Sequence, residues 1–166
     1  MNKAVLFNFN VDKEAKKIHV ERSFDAPVDL VWQAWTDPKI TDQWWAPKPW
    51  RAETKSQEFK PGGKWFYSMV SPEGERHWCV FEYKTINPKT SYSGSDAFCD
   101  ENGVINKEFP SMDWDNQFSD KGESTVVNIE ISFNELADLE KIIEMGFREG
   151  FTMGLENLDA YLEGKR

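Results

Sequence analysis

The C-terminal part of the chain carries a helical apolar repeat, which constrains the fold more than any other feature of the sequence. Asn134 is a suitable N-cap and Gly164 a natural end, so the repeat predicts one amphipathic helix over residues 135–163. Such a helix would be roughly 43 Å long and needs an equally long apolar surface to cover it. The apolar side chains recur at steps of three or four: Leu136, Leu139, Ile143, Phe147, Phe151, Leu155, Leu158 and Leu162.

Most of the remaining chain has the features of β-strands joined by short turns. Residues 5–24 contain two extended segments that meet at residues 12–15, and residues 5–11 either add an edge strand or cover one. Consecutive strands with short connections predict an antiparallel meander. A curved antiparallel sheet and one amphipathic helix bury each other in an α+β fold, which is the fold that the sequence predicts. The further strands are expected at residues 50–59, 65–70, 76–86, 91–98, 112–119 and 124–133.

Two short helices are expected between the second and third extended segments. Pro27 suits a first helical turn, and Pro38 ends the helix that precedes it. The sequence therefore predicts helices at residues 28–35 and 39–45.

Tryptophans are concentrated in these two helices. The helical spacing of Trp32, Trp35 and Trp44 predicts that they pack in the core. Trp45 follows Trp44 directly and so points elsewhere, which suits a pocket mouth or a partner surface.

Strand parity predicts which side chains face the C-terminal helix. Alternate residues of a strand point to opposite faces of a sheet, and we expect the face that carries Phe81 and Tyr83 to point inward. The inward set is largely aromatic, but the same period places His77, Cys79 and Asp96 in it.

A stripe of glycines lies on the predicted C-terminal helix. Gly146, Gly150 and Gly154 are four residues apart, beside Phe147 and Phe151. Glycine costs a helix interior about 1 kcal/mol relative to alanine, so three on one face need a reason. The stripe indicates either close packing against the sheet or a cavity between helix and sheet, walled by aromatic side chains.

Charge and cysteine usage exclude several classes of function. The chain has 29 acidic and 20 basic residues, a formal net charge of −9. Nucleic acid and anionic membranes are therefore not expected partners, because their binding depends on clustered Lys and Arg. Two cysteines, an N-terminus without signal-peptide features and the lack of a long apolar run predict a cytoplasmic protein without membrane insertion.

No motif assigns a metal, a cofactor or a catalytic residue. His77 and Cys79 share a face and, with Asp96, could ligate one zinc ion, but none of the usual ligand spacings surrounds them. The sequence lacks a Walker loop, a dinucleotide fingerprint and a nucleophile elbow. We therefore expect no metal, no cofactor and no catalytic residue.

Several motifs, taken in order, resemble one known family. The motifs are ERSFDAP at 21–27, VWQAWTDP at 31–38, Trp44-Trp45, FKPGGKW at 59–65, Phe98 with DENG at 100–103, and MGFREGF at 145–151. The set spans residues 18–162 and is similar to the C-terminal domain of the activator of heat-shock protein 90 ATPase, in the START-like superfamily, also called SRPBCC or birch-pollen-allergen-like.

The resemblance implies a helix-grip fold. In this fold a curved antiparallel β-sheet wraps around a long C-terminal α-helix, with two short helices after the first strand, here as a single domain over residues 1–166. Relatives hold lipids, sterols, polyketides or other hydrophobic molecules between sheet and helix, a few are cyclases or aromatases, and the namesake domain binds a chaperone. Cys79, Thr85 and Asp115 stand where relatives commonly carry Gly, Glu and Pro, so no role of that Glu is carried over.

Three functions are consistent with these observations. The first is a non-enzymatic protein that binds a small hydrophobic or lipid-like molecule in a cavity between sheet and helix. The second is a protein-interaction module that acts on a chaperone through exposed Trp45 and Trp50. The third is an enzyme on a polyketide-like substrate with His77 or Asp96 as acid or base. The expected cavity walls are Trp45, Trp65, Tyr67, Phe81, Tyr83, Phe98, Trp114, Phe147 and Phe151.

Overall fold

The computed structural model describes residues 5–165, in which eight strands form one antiparallel sheet. Their order across the sheet is β1-β2-β8-β7-β6-β5-β4-β3, so the meander from β3 to β8 ends beside β2. The strands are β1 (Phe7–Asp12), β2 (Lys17–Phe24), β3 (Arg51–Gln57), β4 (Lys64–Val70), β5 (Arg76–Asn87), β6 (Ser91–Cys99), β7 (Met112–Asp120) and β8 (Thr125–Ser132).

Four helices accompany the sheet, and the α+β helix-grip fold expected from the sequence is confirmed. None of the helices within residues 5–165 combines the length and apolar character that a bilayer crossing needs. The helices are α1 (Val28–Thr36), α2 (Pro38–Trp44), α3 (Leu136–Glu144) and α4 (Phe147–Glu163).

The N-terminal segment forms an edge strand, which changes the expected order of elements. Strand β1 pairs with β2 from Phe7 opposite Arg22 to Asp12 opposite Lys17. The two short helices therefore follow the second strand and not the first. The reason is the tight turn at residues 13–16, which lets β1 fold back directly onto β2.

The C-terminal helix is broken in two, so the prediction of one helix over residues 135–163 is wrong. Helix α3 ends before Met145, and Gly146 takes a φ of 92°, a left-handed conformation that side chains rarely adopt. The α3 N-cap is Glu135 rather than Asn134. Periodicity did not reveal the break because α4 continues the apolar repeat beyond it.

The aromatic inner face of the sheet is covered by two helical layers. Under α1, the ring centroid of Trp32 lies 5.8 Å from that of Tyr92 and 5.0 Å from that of Phe118. Under α4, the ring centroid of Phe151 lies 5.6 Å from that of Trp114. Helices α1 and α2 thus form one layer, and α3 and α4 form the other.

Helix α4 is anchored at the sheet by an ion pair. The guanidinium of Arg22 on β2 is nearly fully buried and donates two hydrogen bonds to the Asp159 carboxylate on α4, one of them 3.1 Å from Nη1 to Oδ1. The ring of Phe24 lies against the same guanidinium, 5.0 Å from its centroid. Charge and packing together therefore fix the C-terminal half of α4 on β2.

Of the glycines on α4, Gly154 fits the close-packing interpretation of the stripe, and Gly150 fits the cavity interpretation. A Cβ on Gly154 would lie 3.3 Å from the backbone oxygens of Trp44 and Trp45, so α4 packs closely on the end of α2 there. Asn157 strengthens this contact by donating to the Ala46 carbonyl at 3.1 Å. A Cβ on Gly150 would meet only Pro47 Cγ, at an ordinary 3.7 Å.

Alanine substitutions at the two glycines should have opposite effects. Gly150→Ala should raise the free energy of unfolding by up to about 1 kcal/mol, because alanine favours the helix and has room. Gly154→Ala should lower it by about 1 kcal/mol, because its methyl group presses on backbone that cannot rotate away. Urea denaturation followed by tryptophan fluorescence measures both, and equal stabilisation by the two variants would refute close packing at Gly154.

Candidate functional site

A cavity of about 200 Å³ lies between the sheet and the junction of α3 and α4. It is partly open to solvent and is bounded by four strands on one side, by both C-terminal helices on the other, and by the segment that follows α2 at one end. The lining residues are Trp45, Pro47, Tyr67, Met69, Cys79, Asp96, Phe98, Met112, Trp114, Ile142, Met145, Gly146, Phe147, Gly150 and Phe151.

Aromatic rings form the wall next to α4. Phe147 and Phe151 lie one helical turn apart and stack with their ring centroids 5.3 Å from each other. Trp114 on β7 meets Phe151 edge-on, and Trp45 lies 5.8 Å from Trp114. The left-handed Gly146 starts α4 at this point, so the bend between α3 and α4 brings Phe147 to the cavity.

The sheet side of the cavity contains one carboxyl group. Asp96 on β6 is only 5% exposed. The hydroxyl of Tyr67 lies 3.1 Å and 3.3 Å from its two oxygens and donates to them, and the backbone N–H of Ala97 donates as well. The indole N–H of Trp45 donates in turn to the Tyr67 hydroxyl at 3.3 Å. A polar chain from Trp45 to Asp96 therefore crosses an otherwise apolar wall.

Burial shifts the titration of every ionisable group on this wall. It raises the pKa of Asp96 from 3.8 to about 7, although the hydrogen bonds from Tyr67 and Ala97 partly oppose the shift. Burial also raises the pKa of the Tyr67 hydroxyl and of the Cys79 thiol well above their ordinary values, and the nearby Asp96 carboxylate adds to both shifts. Cys79 therefore stays a neutral thiol at neutral pH, which does not suit a nucleophile.

Six of the nine residues expected in the cavity wall lie along the cavity. They lie on β4, β6, β7 and α4 and in the segment after α2. Strand parity and the helical repeat predicted the inward-facing side of these strands and of α4. The six are Trp45, Tyr67, Phe98, Trp114, Phe147 and Phe151.

The other three, Trp65, Phe81 and Tyr83, are buried in the core and do not line the cavity. Trp65 stacks on Tyr67 with centroids 4.0 Å apart. Phe81 lies over Gly94, where a Cβ would come within 2.4 Å of its ring.

Tyr83 is covered by a residue from a distant turn. The ring centroid of Phe59 lies 4.9 Å from that of Tyr83, and the Tyr83 hydroxyl accepts a hydrogen bond from Gln57 at 2.8 Å. The inward face was predicted correctly for this strand, but Phe59 fills the space that a cavity would need there.

Sequence reasoning missed part of the lining. Strand parity placed Met69, Cys79 and Asp96 on the inward face, but the expected wall did not include them. Ile142 and Met145 reach the cavity only because the helix breaks at Gly146, and no periodic signal marks that break. The remaining missed residues are Pro47, Met112, Gly146 and Gly150.

His77 does not belong to the site, contrary to its predicted inward position. It lies at the exposed start of β5, where Nε2 is 3.3 Å from the Glu75 carboxylate and the ring packs edge-on against Trp50. It therefore cannot share a ligand or a proton with Cys79 or Asp96. Among residues 5–165, no group of three His, Cys, Asp or Glu side chains is placed to hold a metal ion.

Asp96 should make the stability depend on pH. Because its pKa is 3.8 ordinarily and about 7 in the folded chain, the folded state binds more protons between these values, and the free energy of unfolding falls as pH rises. We expect Asp96→Asn to remove this effect. The free energy of unfolding of the variant, relative to that of the wild type, should therefore rise by about 3 kcal/mol between pH 5 and pH 8. Urea denaturation at a series of pH values measures the difference.

Glu82→Gln is the matched control, since Glu82 is an exposed carboxylate on β5. It should follow the pH dependence of the wild type. If the difference between Asp96→Asn and wild type is the same at pH 5 and pH 8, the buried carboxyl does not titrate as described.

Comparisons with known proteins place this chain in a family. The model of the family described as "Activator of Hsp90 ATPase homolog 1-like protein" matches residues 25–163. No curated protein matches the chain.

Several solved structures share the fold. A protein from Arthrobacter aurescens, solved by NMR in solution, is 30% identical, and the match covers 95% of this chain and 91% of that one with a TM-score of 0.90. The crystal structure of a protein from Mycobacterium smegmatis is 25% identical over 96% of this chain and 97% of that one, with a TM-score of 0.87. The crystal structure of the AHSA1 protein from Silicibacter pomeroyi is 20% identical over 90% of this chain and 99% of that one, with a TM-score of 0.72. The chain therefore belongs to the family of activator of Hsp90 ATPase homologue 1-like proteins.

Proposed function

We propose that this protein binds small apolar molecules in the cavity between the sheet and α4, without catalysing a reaction. The observation that carries the proposal is the cavity itself, about 200 Å³ in volume and lined almost entirely by apolar side chains. An engineered apolar cavity of about 150 Å³ binds benzene, so this space suits a molecule of one ring with short substituents. It is smaller than the pockets that hold drug-sized ligands.

The cost of leaving this space empty supports a ligand. The cavity is partly open to solvent, so its apolar walls lose contacts that a closely packed interior would give them and meet water instead, which costs about 25 cal/mol per Å² of apolar surface. Larger side chains at Gly150 or Met112 would reduce that cost, but the sequence keeps small or flexible side chains there. A bound molecule would restore the lost contacts.

The chemistry of the wall favours binding over catalysis. Asp96 is the one acidic or basic side chain along the cavity within residues 5–165, and Cys79 is a protonated thiol. A general acid or base needs a reacting partner in reach, and a nucleophile needs an activating base. Because His77 lies outside the site, the residues along the cavity do not provide an activating base for a nucleophile or a partner for acid–base catalysis by Asp96.

A neutral apolar probe should bind, and a blocked cavity should not accept it. We expect ethylbenzene to bind the wild type with a Kd on the order of 10⁻⁴ M, a value reasonable for eight non-hydrogen atoms. Gly150→Leu should abolish this binding, because its side chain projects from α4 toward Pro47 and fills the cavity. Isothermal titration calorimetry measures both affinities.

Met153→Leu is the matched control, since Met153 is an exposed residue of the same helix and does not line the cavity. This variant should bind ethylbenzene as the wild type does. Absence of binding to the wild type, or undiminished binding to Gly150→Leu, would refute the proposed site.

A second candidate function is binding of a chaperone. It is favoured by the family description and by exposed apolar side chains between β6 and β7, where Val104 is 64% and Ile105 52% exposed. Trp45, which the sequence suggested for this role, lines the cavity instead, and Trp50 packs on His77. If this function holds, the purified chain stimulates the ATPase of Hsp90, and Val104→Ser with Ile105→Ser removes the stimulation; an unchanged ATPase rate would count against it.

A further inference from the structure

We propose that the ligand is a small hydrophobic amine, whose ammonium group pairs with Asp96 while its apolar part lies among the rings of the cavity. This inference rests on the proposed function and names the chemical class of the ligand.

The direction of the hydrogen bonds assigns Asp96 as an acceptor. An indole N–H can only donate, so the Tyr67 hydroxyl accepts from Trp45 and has its single proton left for Asp96. The backbone N–H of Ala97 adds another donor. Each of these groups is therefore a hydrogen-bond donor to the carboxyl. Donors alone favour the ionised carboxylate over the protonated acid.

Within residues 5–165, no positively charged side chain forms an ion pair with this carboxylate. None of the ion pairs in this part of the chain includes Asp96, and both neighbouring donors, Tyr67 and Trp45, are neutral. Burying an ionised carboxylate without a counterion is costly, and the group faces a cavity that is partly open to solvent. A cation that enters the cavity would supply the missing charge.

The aromatic wall suits the same ligand. Ring centroids of Trp45, Trp114 and Phe151 lie 5.6–6.3 Å from one another around the space. Aromatic faces attract ammonium groups and also accept apolar rings, and tryptophan is the strongest of them. Carboxylate and rings together recognise an apolar molecule with one positive end.

The charge of the wall disfavours anionic ligands such as fatty acids. The other titratable side chains that face Asp96 along the cavity are Tyr67 and Cys79, and burial keeps both neutral near pH 7. The helices α3 and α4 and the bend between them contribute Ile142, Met145 and aromatic rings to the lining, none of which carries charge. A ligand carboxylate would meet Asp96 with no cation between them.

The test compares probes of the same size and different charge at pH 8. We expect 2-phenylethylamine to bind at least tenfold more tightly than ethylbenzene, and 3-phenylpropionate to bind more weakly than ethylbenzene. In Asp96→Asn the ratio of the ethylbenzene Kd to the amine Kd should fall to about one tenth of its wild-type value or less, because the carboxylate that favours the amine is gone, and Glu82→Gln should bind both probes like the wild type. Calorimetric titration gives each Kd.

A second arm uses pH and needs no substitution at Asp96. Protonation of Asp96 removes its charge, so the affinity for 2-phenylethylamine should fall between pH 8 and pH 6, while that for ethylbenzene should stay constant. The amine itself remains charged over this range, as do lysine side chains with a pKa near 10.

The outcomes separate this inference from the proposed function. If ethylbenzene binds and Gly150→Leu blocks it, but the amine has no advantage or keeps it in Asp96→Asn, the cavity binds apolar molecules and the amine inference is wrong. If no probe binds, both fail. If Asp96→Asn binds neither probe, the pH arm on the wild type decides, and an amine affinity that stays constant between pH 8 and pH 6 refutes the inference.

Discussion

The structure depends on how one aromatic sheet face is buried. No single helix covers this face: α1 and α2 pack on one part of it through Trp32, and α4 packs on another through Phe151. The two layers touch where Gly154 meets the end of α2, and they separate toward Gly150. Side chains in a protein interior normally fill such a seam. Here the seam opens into the cavity, so the packing that holds the fold together also creates the site.

The second constraint is the burial of Asp96 in this seam. A buried carboxyl needs partners, and the fold supplies Tyr67 and the Ala97 backbone, each a neutral donor. By contrast, Arg22 meets the carboxylate of Asp159 and donates to it twice, so that buried charge is neutralised within the chain. The two groups show different uses of a buried charge, because Arg22 joins two elements whereas Asp96 faces an open space.

The sequence predicts the strands and helices well but does not show where a helix is interrupted. Alternation of side chains identified the strands, and the prolines at 27 and 38 located α1 and α2, because these signals come from local backbone preference. The break at Gly146 was missed because Leu139, Phe151 and their neighbours keep a helical period on both sides of it. His77 was misplaced for a related reason: parity gives the face of a strand but not how far along the strand that face is covered.

The same limit explains why strand parity could not separate the cavity wall from the core. Phe98 and Tyr83 both point inward from neighbouring strands, yet only Phe98 borders open space, since Phe59 from a distant turn covers Tyr83. Whether an inward residue meets a ligand or another side chain depends on contacts between elements far apart in the chain. Asp96 illustrates the same limit. Parity placed this carboxyl on the inward face, but the expected cavity wall did not include it, because the pattern of one strand does not show whether a buried carboxyl meets a cation of the protein or an open space.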